Sequence, residues 1–247
     1  MRLELVPTLL GRQPWPLLLI ASLLGWTVLI GLQHSLLVPE ICSVMAASWP
    51  NVDARTIDAV LLVNSPMGLA VSWLVMLLAM MPLLLAQPLL HLWVRSLARR
   101  RIRAIAAFLF AYFAVWMAAG PVLLAIAVAV RMATKGSDVL AVALALVLAL
   151  VLALLWRVCP VRQVCLNRCH VLPRLSPFGL AADRDCLLFG ARNGAWCVGA
   201  CWALMVVPLV VDVLHLAAMF VVMLVMLNER LAPTRPARWR SRRSLAR

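Results

Sequence analysis

Four of the seven cysteines fall into two pairs: Cys165 with Cys169, followed directly by His170, and Cys197 with Cys201, followed after the same interval by Met205. On a helix, residues i and i+4 are neighbours with Cβ atoms about 5–6 Å apart, so each pair can present two sulfurs to one ion. At 100° per residue, Gly190, Gly194, Cys197, Cys201 and Met205 share one arc of roughly 80°. Asp212, His215, Met219, Met223, Met226 and Glu229 share a second arc of about 120°. Trp73, Met76 and Met80 lie on a third, with Gln87 and His91 in phase if the kinks at Pro82 and Pro88 are small. Thiolate and thioether donors suit Cu(I), imidazole serves copper or zinc, and hard ions such as magnesium are poorly served. The candidate metal ligands are therefore Cys165, Cys169, His170, Cys197, Cys201, Met205, Met76, Met80, Met219 and His215. Their softness favours copper(I), and zinc in a Cys2His2 arrangement is the second option.

Packing is the competing reading. Cysteine is a small apolar residue common in buried helices and methionine is a general core filler, which accounts best for Met223 and Met226. Asp212 and His215 are expected near an interface, where polar side chains cost little. Cys165 and Cys169 are expected to be exposed in a loop beside several arginines, with lowered thiol pKa values.

The elements that must position these residues follow from apolarity. Hydrophobic residues make up 65% of the 247 and mean hydropathy is +1.00, more than a water-soluble domain can bury. Six spans are predicted at 16–38, 66–94, 104–130, 139–156, 187–207 and 213–227, which makes the chain an all-α, polytopic transmembrane helical bundle. The whole chain reads as one integral membrane domain ending in a basic cytoplasmic tail over 231–247. The 187–207 boundaries put Cys197 about halfway through the membrane. Arg95, Arg99, Arg100, Arg101 and Arg103 follow the second span; Arg157, Arg162, Arg168, Arg174 and Arg184 follow the fourth; Arg230 and six further arginines follow the sixth. The connection after the first span carries Glu40, Asp53 and Asp58 against Arg55. Lys and Arg favour the cytoplasmic side, so both termini are expected there.

The first apolar run is too long for a signal peptide, and Pro39-Glu40-Ile41-Cys42 makes no lipoprotein box. The net charge of +14 is spread over span ends, which argues for anionic lipid headgroups and against nucleic acid.

Three segments carry a resemblance. They are Trp73-Leu-Val-Met76-Leu-Leu-Ala-Met80-Met81-Pro82, Pro160-Val-Arg162-Gln-Val-Cys165-Leu166-Asn-Arg-Cys169, and the stretch from Gly190-Ala-Arg192-Asn193-Gly194 through Trp196-Cys197 to Cys201 and Met205, leading to Met219 and Glu229-Arg230. Over residues 65–231 the chain resembles a bacterial family of predicted metal-binding integral membrane proteins labelled as a domain of unknown function. The resemblance implies a multi-pass protein of the bacterial inner membrane that binds metal. It departs where the family commonly has His, here Asn193, and a tandem Cys-Cys, here Ala200-Cys201.

The leading expectation is soft-metal handling, transfer or transport. Cys165, Cys169 and His170 would capture the ion, and Cys197, Cys201, Met205, Met80 and Met219 would form a buried station. A metallochaperone or metal-receiving protein is the expected partner, with a homo-oligomer through the glycine face as a further option. A thiol-disulfide or quinone-linked oxidoreductase is the alternative, followed by a structural membrane subunit. No Gly-x-x-x-x-Gly-Lys-Ser/Thr loop, His-Glu-x-x-His or Gly-x-Ser-x-Gly occurs, so no catalytic residue is assigned.

Overall fold

The computed structural model describes residues 15–34, 66–134, 139–211 and 214–233. Cys42, Asp212, the acidic connection after the first helix and the tail arginines beyond Arg230 lie outside these residues. Among the described residues the chain is all-helical: α1 (Trp15–His34), α2 (Pro66–Met80), α3 (Ala86–Arg95), α4 (Arg101–Thr134), α5 (Val139–Val158), α6 (Pro160–Cys169), α7 (Gly179–Val210) and α8 (His215–Leu231).

Three of these helical stretches are long and apolar enough to cross a membrane: Ala98–Thr134, Leu140–Val158 and Gly179–Val210. A fourth candidate is the bent pair Met67–Met80 and Pro82–Arg95. That pair corrects the single straight span expected over 66–94. Pro82 has no N–H to continue the helix. The chain instead makes a short 3-10 turn over Pro82–Leu85 and turns by 57°. Met81 N–H to the Leu77 carbonyl, at 2.8 Å, and Leu84 N–H to the Met81 carbonyl, at 3.0 Å, keep the break hydrogen-bonded.

The predicted stretches 104–130 and 187–207 are inner parts of longer helices. With 34 and 32 residues, α4 and α7 each run about 50 Å at 1.5 Å per residue. They lie side by side and point the same way. At their N-terminal ends Arg100 and Arg103 both pair with Asp183 at 2.7 Å. Further along, Gly190 meets the Phe108 carbonyl, and Gly194 meets Tyr112. The glycine face that sequence offered for a second copy is thus covered by this chain's own α4.

Helix α5 packs through the stripe Ala141, Ala145, Ala149 and Ala153, all buried, and turns its leucines and valines outward. Trp156 at its end donates from Nε1 to the Gly199 carbonyl at 3.0 Å and packs edge-on against Trp202. Helix α1 seats on α2, where the Ser22 hydroxyl donates to the Ala79 carbonyl at 2.7 Å.

Because a Cβ at position 190 would collide with the Phe108 carbonyl, Gly190→Val should force α4 and α7 apart. A loss of about 1–3 kcal/mol is expected, the usual cost of overpacking a tight interior, read as a lowered midpoint of thermal unfolding of the purified protein.

Candidate metal centre

The short helix α6 brings the two cysteine pairs together. Pro160 opens it at a position where a missing N–H costs nothing, and it ends at Cys169. Positions 162, 165, 166 and 169 fall on one face, and all four residues, Arg162, Cys165, Leu166 and Cys169, are buried. That face lies along α7. Gly199 provides the room, since a Cβ there would stand 2.9 Å from Cys165 Sγ. The expectation of exposed loop thiols is therefore corrected: Cys165 is 7% exposed and Cys169 4%. Burial pushes both thiols up, Cys169 to about 12, against the weaker opposing pull of nearby arginines.

Cys197 and Cys201 share a side-chain hydrogen bond on α7, and Cys169 stands within electrostatic reach of both. Helix α6 thus brings Cys169 of the first pair toward the second pair. From α4, the Tyr112 hydroxyl reaches Cys197 Sγ at 3.2 Å and Met81 Sδ at 3.5 Å. Met81 is a thioether that periodicity missed, because one residue past Met80 it stands about 100° around the helix, off the arc of Met76 and Met80. Gly199 meets Trp156, so the second pair lies level with the Arg157 end of α5.

The other candidates divide. Met76, Met80, Met205 and Met219 are fully buried in the same apolar core. His215 is buried, and its Nδ1 lies 2.7 Å from the Pro208 carbonyl. It is fifteen residues along α8 from Arg230, about 22 Å at the helical rise, and so apart from the cysteines. His170 is half-buried with Nδ1 3.1 Å from Gln87 Oε1; burial, then the Arg230 charge, lowers its pKa and keeps it neutral at physiological pH. His91 is engaged by the Pro173 carbonyl at 3.0 Å and by the Phe189 ring. Among the described residues no three His, Cys, Asp or Glu side chains are gathered as a ready-made metal cage.

Two arginines assigned by sequence to span ends are core residues instead. Arg162 is 2% exposed; its Nε donates to the Ala200 carbonyl at 3.1 Å and its Nη2 pairs with Glu229. Arg157 meets the other oxygen of Glu229 at 3.1 Å. Arg230, 6% exposed, lies against the sulfurs of Cys169 and Cys197 and donates to Asn193 Oδ1 at 3.4 Å. The signal was present in the spacing, since Arg162 shares the helix face of Cys165 and Cys169, and Arg230 follows Met226 by four. Charge alone hid it.

Residues 70–243 match the family described as PpoB2, copper chaperone. The chain belongs to this copper chaperone family. No curated protein and no solved structure matches it. The matched stretch contains both cysteine pairs, Arg162, Glu229 and Arg230. It upholds a copper-related family, while the family label given by resemblance is not carried by it. The donors agree with copper, since two adjacent thiols with thioethers in the surrounding core are soft ligands.

Two outcomes follow from this geometry. Glu229→Gln leaves Arg162 buried without its anion and should cost about 3–5 kcal/mol, the usual result of breaking a buried pair from one side, measured by thermal unfolding. Alkylation of Cys165 and Cys169 by iodoacetamide, followed by peptide mass, should be slow at neutral pH and accelerate as pH rises, because the reactive thiolate is scarce when the pKa is raised.

Proposed function

We propose that this chain is a multi-pass membrane copper chaperone that holds Cu(I) between Cys197 and Cys201. The carrying observation is the Tyr112 hydroxyl on Cys197, with Cys169 within electrostatic reach of the pair, in a member of a copper chaperone family. An i, i+4 pair supplies two sulfur donors, and low-coordinate thiolate ligation suits Cu(I), whereas a structural zinc site asks for four ligands. Cys169, carried on α6 and reaching the pair from the side, is suited to pass the ion to or from it by ligand exchange. Cys165 and His170 lie on the same short helix and at its end, as an approach to the locus. Met205, Met219, Met76 and Met80 give the surrounding interior a soft, water-poor lining.

Three helices long and apolar enough to cross a membrane, four with the bent pair, support a membrane protein. In this reading it resides in a bacterial inner membrane with about six spans and, by its arginine distribution, both termini cytoplasmic. In that orientation the sulfur locus lies toward the cytoplasmic end of α5, where a soluble copper donor or a copper-receiving protein could meet α6. Transfer to a partner is favoured over pumping, since the chain has no phosphate-binding loop.

Metal content of the detergent-purified protein, expressed with copper or zinc supplied, tests this reading beside a Cys197→Ser, Cys201→Ser variant. Near-stoichiometric Cu(I) in the parent and its loss from a variant that still unfolds cooperatively are expected. Metal-free protein in both cases, with Cys197 and Cys201 oxidising to a defined disulfide, would sink the copper assignment and favour thiol-disulfide exchange.

A further inference from the structure

Arg230 presents a charge problem that the rest of the core does not solve. A guanidinium stays protonated inside a protein, and a buried charge is costly unless an anion faces it. Three carboxylates occur among the described residues. Asp183 is held by Arg100 and Arg103, Asp185 accepts the Ser176 backbone N–H, and Glu229 is held by Arg157 and Arg162. None faces Arg230. Its neighbours are Asn193, Tyr112 and the sulfurs of Cys169, Cys197 and Cys201. Among the described residues, the anion left to compensate it is the sulfur locus.

Charge balance then distinguishes between ions. Two thiolates around a monovalent ion leave one negative charge, which one guanidinium cancels. Around a divalent ion the two thiolates are already neutralised, and the guanidinium becomes a surplus positive charge in a low-dielectric interior. The geometry points to Arg230 as the specificity-determining counter-charge of this locus, selecting a monovalent soft ion over a divalent one at Cys197 and Cys201. This rests on the copper reading above and adds a residue that touches the ligands without being one, as supporting groups around metal ligands commonly do. Asn193 accepts from Arg230 and leaves its charge intact, so an acidic residue at the same position would cancel it.

The test compares the detergent-purified parent with Arg230→Gln, Arg230→Lys and Asn193→Asp. Each is loaded with Cu(I) under reducing conditions or with Zn(II), and titrated with a competing chelator for each ion. Arg230→Gln should weaken Cu(I) by roughly 10–100-fold, the range for groups supporting metal ligands, while Zn(II) binding holds or improves. Arg230→Lys should restore most of the preference for Cu(I), because it restores the charge. Asn193→Asp should move the preference toward Zn(II) with the guanidinium still in place, and it decides the matter alone if Arg230→Gln does not fold. An unchanged ratio of Cu(I) to Zn(II) affinity in the folded variants, whether both affinities hold or both fall together, would overturn the counter-charge role and leave the copper site standing. Absence of Cu(I) binding in the parent would overturn both.

Discussion

Two guanidinium groups sit inside an interior built almost wholly from Leu, Ala, Val, Met and Cys, and the arrangement of the site depends on how they are neutralised. Arg162 on α6 and Glu229 on α8 meet across the surface of α7, and the Ala200 carbonyl accepts from Arg162 at the same place. That contact ties three helices together at one level of the bundle. Separating them would leave a full charge in apolar surroundings, a cost much greater than that of one lost hydrogen bond. The short helix α6 is thereby pinned to α7, and Cys169 with it. Arg230, next in sequence to Glu229, is carried into the sulfur locus by the same turn of α8.

Close helix approach supplies the second condition. Gly190 and Gly194 let α4 come near enough for the Tyr112 hydroxyl to reach Cys197, and Gly199 lets α6 come near enough for Cys165 to lie on α7. Tight backbone contact of this kind gains dispersion and excludes water. The sulfurs are thus enclosed by a tyrosine, two short helical contacts and a thioether-rich core. Soft donors in a dry pocket favour a soft ion, which agrees with the copper chaperone family to which the chain belongs.

Much of the architecture was legible beforehand because it depends on local periodicity. The helices, the sulfur face of α7 and the stripe of Met219, Met223 and Met226 on α8 all follow from residue type at 3.6 per turn. Boundaries were less legible. The chain bends by 57° at Pro82, and Met81, just before the bend, meets the Tyr112 hydroxyl. Helix α7 starts at Gly179, before the predicted boundary at 187.

What the sequence by itself determined was the kind of molecule: an all-helical, strongly apolar chain whose chemistry rests on soft sulfur donors, since composition and spacing are local properties written residue by residue. Only the tertiary structure decided that Cys169 comes within reach of Cys197 and Cys201, that His215 stands apart from them, and that Arg162 and Arg230 are interior residues. Those outcomes depend on which helix lies beside which and at what height. A sequence pattern carries no term for the partner of a buried charge, and an arginine at the end of an apolar run reads the same whether it turns outward to water or inward to a carboxylate and a thiol.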